Sequence, residues 1–144
     1  MSDEEVRAFL GEKMVMQCAT VGPRGLPHMV PLWFVGGPQE LRGWTYAKSQ
    51  KARNLERDPR ATLGLEDGIQ YHELRGLMFE CDVELERDSA RVEHFGLELF
   101  DRYAGDLTDE IRTMVAKQAQ KRVGLTFVPT RTVSWDHRKL HGSY

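Results

Sequence analysis

The segment most informative about the fold is Trp44-Thr-Tyr-Ala-Lys-Ser-Gln-Lys-Ala-Arg-Asn-Leu-Glu-Arg-Asp-Pro-Arg-Ala-Thr-Leu63. Its pattern predicts a strand, then a short helix, then another strand. We expect the helix to begin after Ser49, because serine is a preferred N-cap residue. We expect it to end before Pro59, because proline disfavours helical conformation in the residue ahead of it. Three cations crowd the start of this helix: Lys48, Lys51 and Arg53.

Cations gain nothing from the first turn of a helix, where the macrodipole is positive and free N–H groups point outward. Something anionic is therefore expected there, and helix N-termini commonly bind phosphate. Lys51 is the predicted phosphate ligand, and Ser49 is a cap that could also donate to the phosphate. The plain alternatives are a solvated surface lysine and a simple N-cap.

Composition sets the class of protein. The 144 residues suit one domain over 1–144, with 40% hydrophobic and 29% charged residues. The net charge of −2 argues against a nucleic-acid-binding surface. Cys18 and Cys81 form no Cys-x-x-Cys pair, so we expect a reduced, cytoplasmic setting. The first residues are acidic and lack the basic-then-apolar order of a signal peptide, and no apolar run approaches about 18 residues, so neither a signal peptide nor a membrane span is expected.

Hydrophobic periodicity predicts many short strands and few helices. Helices are predicted from Ser2 to about residue 13, over 88–103 and over 108–120. Strands are predicted over 14–21, 27–35, 41–47, 60–65, 71–86, 122–128 and 132–135. Three residues interrupt these strands: Pro31, which argues for an edge, a bulge or a broken ladder, Gly76, which predicts a bulge, and Pro129, which predicts a hinge. The pattern favours a mainly β chain with flanking helices (α+β), arranged as a small antiparallel barrel.

Four segments, in order along the chain, resemble one known family. They are Pro27-His-Met-Val-Pro-Leu-Trp-Phe34; Tyr46-Ala-Lys-Ser-Gln-Lys-Ala-Arg-Asn-Leu55 with Asp58-Pro-Arg60; Leu74-Arg-Gly76 with Asp82-Val-Glu-Leu85; and Ser134-Trp-Asp-His-Arg-Lys-Leu140. The chain resembles the pyridoxamine 5′-phosphate oxidase-like group of flavin- and deazaflavin-dependent oxidoreductases. The resemblance implies a split β-barrel of the FMN-binding type.

The resemblance also implies a homodimer with two shared cofactor sites at the subunit interface. The cofactor phosphate would lie near Ser49 and Lys51, and the second barrel strand would lie against the ring system. Trp135 and Arg138 would approach from the partner subunit. The implied cofactor-binding residues are Met29, Val30, Pro31, Leu32, Trp33, Tyr46, Lys48, Ser49, Lys51, Asn54, Trp135 and Arg138. No residue is singled out as catalytic.

Three departures from the family pattern bear on the cofactor. Gln50 and His28 stand where pyridoxamine phosphate oxidases commonly carry arginine, and Cys81 replaces a glycine. Gln50 and the tail Trp135-Asp-His-Arg-Lys139 favour the deazaflavin coenzyme F420 over FMN. We therefore expect an oxidoreductase that transfers hydride to or from a small organic substrate, with F420 or FMN as cofactor.

Other interpretations remain open or are disfavoured. The chain could bind or carry a flavin, a deazaflavin or haem without turnover, since the phosphate site would look the same. Tyr46 and Trp33 could flank a flat ring or simply pack in the barrel. His137 and His141 have a metal-binding spacing, but no cysteine or carboxylate cluster joins them, so no metal site is expected.

Overall fold

The computed structural model describes residues 1–143 and contains four α-helices and seven strands. In chain order they are α1 (Asp3–Glu12), β1 (Met16–Val21), β2 (Pro27–Leu32), β3 (Val35–Gly37), β4 (Glu40–Tyr46), α2 (Gln50–Arg57), β5 (Arg60–Asp67), β6 (Arg75–Glu86), α3 (Ser89–Ala104), α4 (Asp109–Ala119) and β7 (Arg122–Asp136).

All seven strands form one sheet in the order β2-β1-β5-β6-β7-β4-β3, and every neighbouring pair is antiparallel. Alternating side chains of the central strands point into one apolar core, which α1 and α2 help to close. The predicted class, a mainly β split barrel with flanking helices, is confirmed. No helix within residues 1–143 is long and apolar enough to cross a bilayer.

A second apolar cluster lies between the sheet and the helix pair α3–α4. Val92, Leu99 and Val115 pack there against Trp44 of β4. A Cβ atom at Gly96 of α3 would overlap Trp44 and would lie 2.8 Å from Val115, so glycine is needed for this close packing. The cluster therefore fixes the indole of Trp44, which matters for the site described below.

Local capping sets the helix starts, as predicted. The Oγ atom of Ser49 accepts a hydrogen bond from the Ala52 N–H at 3.1 Å, and α2 ends at Arg57, two residues before Pro59. Ser2 and Thr108 cap α1 and α4 in the same way.

The strand predicted over 27–35 is instead two strands, and the prediction was wrong at Trp33 and Phe34. The Tyr103 hydroxyl accepts from the Phe34 N–H and donates to the Phe34 carbonyl, both at 3.0 Å. Arg102 also donates to that carbonyl, at 2.6 Å. Because α3 satisfies these backbone groups, the chain can leave the ladder between β2 and β3. The predicted edge position of Pro31 is confirmed, since β2 is an outer strand of the sheet.

Two other strand predictions need correction. Residues 71–73 form a short 3₁₀ turn, so β6 begins at Arg75, and its register shows no bulge at Gly76. Pro129 does not divide the last strand, because β7 runs unbroken and its register shifts opposite Glu80 and Cys81. Thr130 is the extra residue at that shift, and its hydroxyl donates to the Glu80 carbonyl at 3.1 Å.

Candidate functional site

The start of α2 brings three polar side chains together. The Nζ atom of Lys51 lies 3.3 Å from Thr45 Oγ1, and that oxygen lies 3.4 Å from Ser49 Oγ. Thr45 is the penultimate residue of β4, and Ser49 is the N-cap of α2, so the turn between the two elements sets this spacing. The free N–H groups of the first turn of α2 lie at the same corner.

Lys51 is buried, with 6% of the residue exposed. Burial lowers the pKa of its ammonium below the ordinary value, and the nearby Cys18 thiol opposes that change only in part. Within residues 1–143, no carboxylate lies within ion-pair distance of Lys51. A buried ammonium whose hydrogen-bond partner is a neutral hydroxyl is electrostatically incomplete, so this corner fits an anionic group.

The other polar residues in and just before α2 divide into two kinds. Lys48 and Arg53 are exposed and can turn toward a ligand or toward water. Asn54 is fully buried: its amide donates to Thr20 Oγ1 at 3.0 Å and accepts from Gln50 Nε2 at 2.7 Å. Asn54 therefore anchors α2 to β1, and both ends of its amide are already used.

The first half of β2 lies beside the start of α2. His28 and Gln50 line one small cavity of about 190 Å³, together with Arg24 of the β1–β2 turn. The Nδ1 atom of His28 is buried and has no hydrogen-bond partner among the described residues. The two positions at which the sequence departs from the arginines of the family pattern are thus neighbours in space.

The end of β2 lines a second cavity together with residues of β4 and the start of β7. Pro31, Leu32 and Trp33 line a cavity of about 280 Å³ with Trp44, Phe100, Gln118 and Arg122. The Trp33 indole stacks on Tyr103 with ring centroids 4.3 Å apart, and 45% of the residue stays exposed. Tyr46 is 55% exposed, and its ring lies 4.3 Å from the Arg122 guanidinium. These aromatic faces could hold a flat ring.

The strand β2 is unusual because none of its six residues is buried. Met29 is 65% exposed, and Val30 is partly buried beside it. The predicted residues Met29 to Trp33 therefore lie along β2 and just after it, and Tyr46 adjoins them through Arg122. His28 and Gln50, the two departures from the family pattern, lie toward the opposite end of the strand.

Within one chain, Trp135 and Arg138 lie apart from the predicted residues that are grouped along β2. Tyr46 pairs with Arg122 at the start of β7, whereas Trp135 pairs with Gly76 near the end of that strand. At about 3.3 Å per residue, the two positions are up to roughly 40 Å apart along the strand. Arg138 forms a bidentate ion pair with Asp136, which lowers the pKa of that carboxyl to about 2.

In residues 1–143, no group of histidine, cysteine and carboxylate side chains could hold a metal ion. His137 and His141 fall in and after a single 3₁₀ turn, so the spacing of these two residues does not lie on an α-helix.

Sequence reasoning missed Thr45, Trp44 and Arg122 as members of this region. Thr45 is one of three consecutive buried residues near the end of β4, and its hydroxyl meets Lys51 only because α2 folds back on that strand. Trp44 meets Arg122 only because β4 pairs with β7, and no local pattern reports that pairing.

The whole chain resembles known proteins in sequence and in structure. The sequence profile of the family described as pyridoxamine 5′-phosphate oxidase matches residues 2–136. A conserved hypothetical protein from Mycobacterium tuberculosis is 42% identical, with a TM-score of 0.89 over 100% of this chain and 90% of that one. No curated protein matches.

Two further solved structures share the fold. A protein named F420 reductase is 27% identical, with a TM-score of 0.71 over 92% of this chain and 97% of that one. A heme storage protein from Vibrio cholerae is 22% identical, with a TM-score of 0.72 over 93% of each chain. At that lower identity the likeness concerns the fold alone.

Proposed function

The chain belongs to the pyridoxamine 5′-phosphate oxidase family, and from this premise we propose that it is an oxidoreductase that binds coenzyme F420 or FMN. Its substrate would be a small organic molecule. When bound, such a cofactor supplies the hydride-transfer chemistry. The protein's part is to bind the phosphate, orient the ring and exclude water.

The observation that carries the proposal is the buried ammonium of Lys51. Its partner is the Thr45 hydroxyl, and it lies beside the open N-terminus of α2. A phosphate there would supply the missing negative charge and accept from the helix N–H groups and the Ser49 hydroxyl. Lys48 is exposed next to this corner and could add a second cation.

The ring would lie along β2. Met29 and Pro31 are exposed on this strand, Val30 and Leu32 are partly buried beside them, and Trp33 is exposed just after its end. The ring of Tyr46, which stacks on Arg122, would border the same end. Because β2 is an outer strand, backbone groups along its free edge can form hydrogen bonds with a ring. Pro31 has no backbone N–H, so it donates no hydrogen bond to the sheet.

F420 is favoured over FMN by the cavity between β2 and α2. His28 and Gln50 line it, so the phosphate end would meet a histidine and an amide where the family pattern has two arginines. The likeness to a protein named F420 reductase, at 27% identity over nearly all of both chains, supports the same choice.

We also propose that two copies of the chain share each site. In one chain, Trp135 and Arg138 lie at the far end of β7 from Tyr46, so a site that includes them requires a second copy. An exposed outer strand such as β2 is a surface that a partner would cover. Sedimentation should give a dimer, and a monomer that binds cofactor would oppose this arrangement.

A binding titration tests the phosphate site. Wild-type protein should bind F420 or FMN, followed by the change in cofactor fluorescence. Lys51→Met should weaken binding by roughly 1–3 kcal/mol, the scale of a hydrogen bond to a charged group. Lys117→Met is the matched control, because Lys117 is exposed on α4. Equal affinities for wild type and Lys51→Met would remove Lys51 from the site.

A turnover assay separates an enzyme from a carrier. Protein supplied with reduced cofactor should reduce at least one member of a panel of enones, quinones and biliverdin. Tight binding with no turnover on any of them would favour a protein that carries the cofactor. Absence of binding to both F420 and FMN would overturn the proposed function.

A further inference from the structure

Arg122 occupies an unusual place at the start of β7. It pairs with Tyr46 in the ladder between β4 and β7. Its guanidinium lies 4.6 Å from the centroid of the Trp44 ring and 4.3 Å from that of the Tyr46 ring. Contacts of this kind hold a cation in place through the negative face of an aromatic ring. Arg122 is therefore fixed in position by two aromatic side chains.

The same guanidinium lacks polar partners. Its Nε atom is buried and donates to nothing. In the part of the chain from 1 to 143, no carboxylate lies within ion-pair distance of Arg122, and no oxygen accepts a hydrogen bond from it. Buried polar groups in proteins nearly always have partners, so an orphaned arginine donor calls for an explanation.

Other partly buried arginines of this chain show the contrast. Arg42 pairs with Glu98, and Arg75 pairs with both Asp67 and Glu12. Arg102 donates to three backbone carbonyls. Each of these guanidinium groups is satisfied within the fold, whereas Arg122 is held by rings alone.

Arg122 faces a cavity suited to a flat organic molecule. The cavity has a volume of about 280 Å³, and its walls include Pro31, Trp33, Trp44 and Phe100. Gln118 is a further polar residue that lines it. Apolar aromatic walls with a few placed polar groups are typical of small-molecule sites. The planar fork of an arginine matches the two oxygens of a carboxylate.

We propose that Arg122 binds the carboxylate of a flat, unsaturated organic acid in this cavity, and that such acids are the substrate class. The proposal rests on the proposed function, because Pro31 and Trp33 border both the cavity and the strand on which the cofactor ring is placed. Arg122 would orient the acid, and the aromatic walls would hold its conjugated carbon chain beside that ring.

Calorimetric titration with trans-cinnamate and cinnamamide as probes tests this directly. The two compounds have nearly the same shape, and the acid carries the negative charge. Wild-type protein should bind cinnamate at least tenfold more tightly than cinnamamide. Arg122→Gln should abolish that preference, and Arg122→Lys should retain only part of it, because lysine keeps the charge and loses the fork. Arg112→Gln, on the exposed face of α4, should keep the full preference.

Three results would overturn the proposal: binding of neither probe, equal binding of both, or an unchanged preference in Arg122→Gln. Thermal unfolding of each variant shows whether it is folded. If Arg122→Gln does not fold, the ratio of cinnamate to cinnamamide affinity in Arg122→Lys provides the test. A separate titration of the wild type with F420 and FMN distinguishes the proposed cofactor-dependent function from the proposed carboxylate site at Arg122. Failure there with a preserved cinnamate preference would remove the proposed function and leave the Arg122 site standing.

Discussion

The Lys51 ammonium donates to the Thr45 hydroxyl over 3.3 Å inside the barrel, with no carboxylate near enough to balance its charge. This pair joins the start of α2 to the end of β4. A buried ammonium without a balancing anion lowers the stability of the isolated protein. This loss of stability is explained if Lys51 binds an anionic ligand when the protein functions.

The first prediction concerns stability. Lys51→Met removes the buried charge and keeps most of the side-chain volume, so the free energy of unfolding in urea should rise by about 1 kcal/mol or more. Lys117→Met, at an exposed site, should change it by less than about 0.5 kcal/mol. A loss of stability in Lys51→Met would mean that the ammonium already has a strong partner within the fold.

The second prediction concerns how the difference in free energy of unfolding between Lys51→Met and the wild type changes with pH. Burial lowers the pKa of Lys51 in the folded protein below the ordinary 10.5 of the unfolded chain. Between these two pKa values the unfolded state binds more protons, so raising the pH through this window stabilises the wild type. The advantage of Lys51→Met should therefore be largest near neutral pH and should narrow as the pH approaches 10.5. Unfolding in urea at a series of pH values measures this, and a gap that widens with pH would contradict the charge explanation.

The third prediction concerns Gly76, on whose backbone the Trp135 ring rests. A Cβ atom at Gly76 would lie 2.6 Å from the Leu65 carbonyl oxygen and 2.7 Å from Cε2 of Trp135. Gly76→Ala should therefore lower the free energy of unfolding by about 1–3 kcal/mol, the usual range for overpacking. Trp135 should also become more exposed, which a red shift in tryptophan emission would report.

Gly64→Ala is the matched control for this change. Gly64 lies in the neighbouring strand β5, and a Cβ atom there would meet nothing within 4 Å. Its stability should stay the same or rise slightly, because alanine loses less conformational freedom on folding than glycine does. Equal losses in the two variants would show that strand glycines, and not the contact with Trp135, explain the effect.

The fourth prediction concerns the two cysteines. Both are free and buried, and burial raises the pKa of each thiol to about 12. Because the thiolate is the reactive form, native protein should react very slowly with Ellman's reagent at pH 8. Two thiols should react promptly once the protein is unfolded in guanidinium chloride. Rapid reaction of either cysteine in the native state would show that the barrel opens readily around β1 or β6.

Local chemistry was readable from the sequence. Ser49 and Pro59 defined the limits of α2 because capping and the restriction before proline act within a few residues. The antiparallel barrel and the amphipathic helices followed from periodicity, whereas the division into strands did not, because the predicted strand 27–35 is two strands and the predicted strands 122–128 and 132–135 are one. The resemblance to the family is confirmed by the family profile, which matches residues 2–136 and so covers three of the four segments and the start of the last.

Features that depend on contacts distant in sequence were not readable. Gly76 predicted a bulge, yet its role is to make room for Trp135, which is brought there by the pairing of β6 and β7. The break after Leu32 depends on Tyr103 of α3, which no pattern near residue 33 reveals. The burial of Lys51 and the orphaned state of Arg122 likewise depend on how the sheet closes.

The most direct test of the central claim is a crystal structure of the protein soaked or grown with F420, and with FMN in parallel. We expect a cofactor phosphate within hydrogen-bond distance of Lys51 Nζ and Ser49 Oγ, at the first turn of α2, with the ring along β2. A phosphate bound elsewhere, with this corner holding only water, would contradict it.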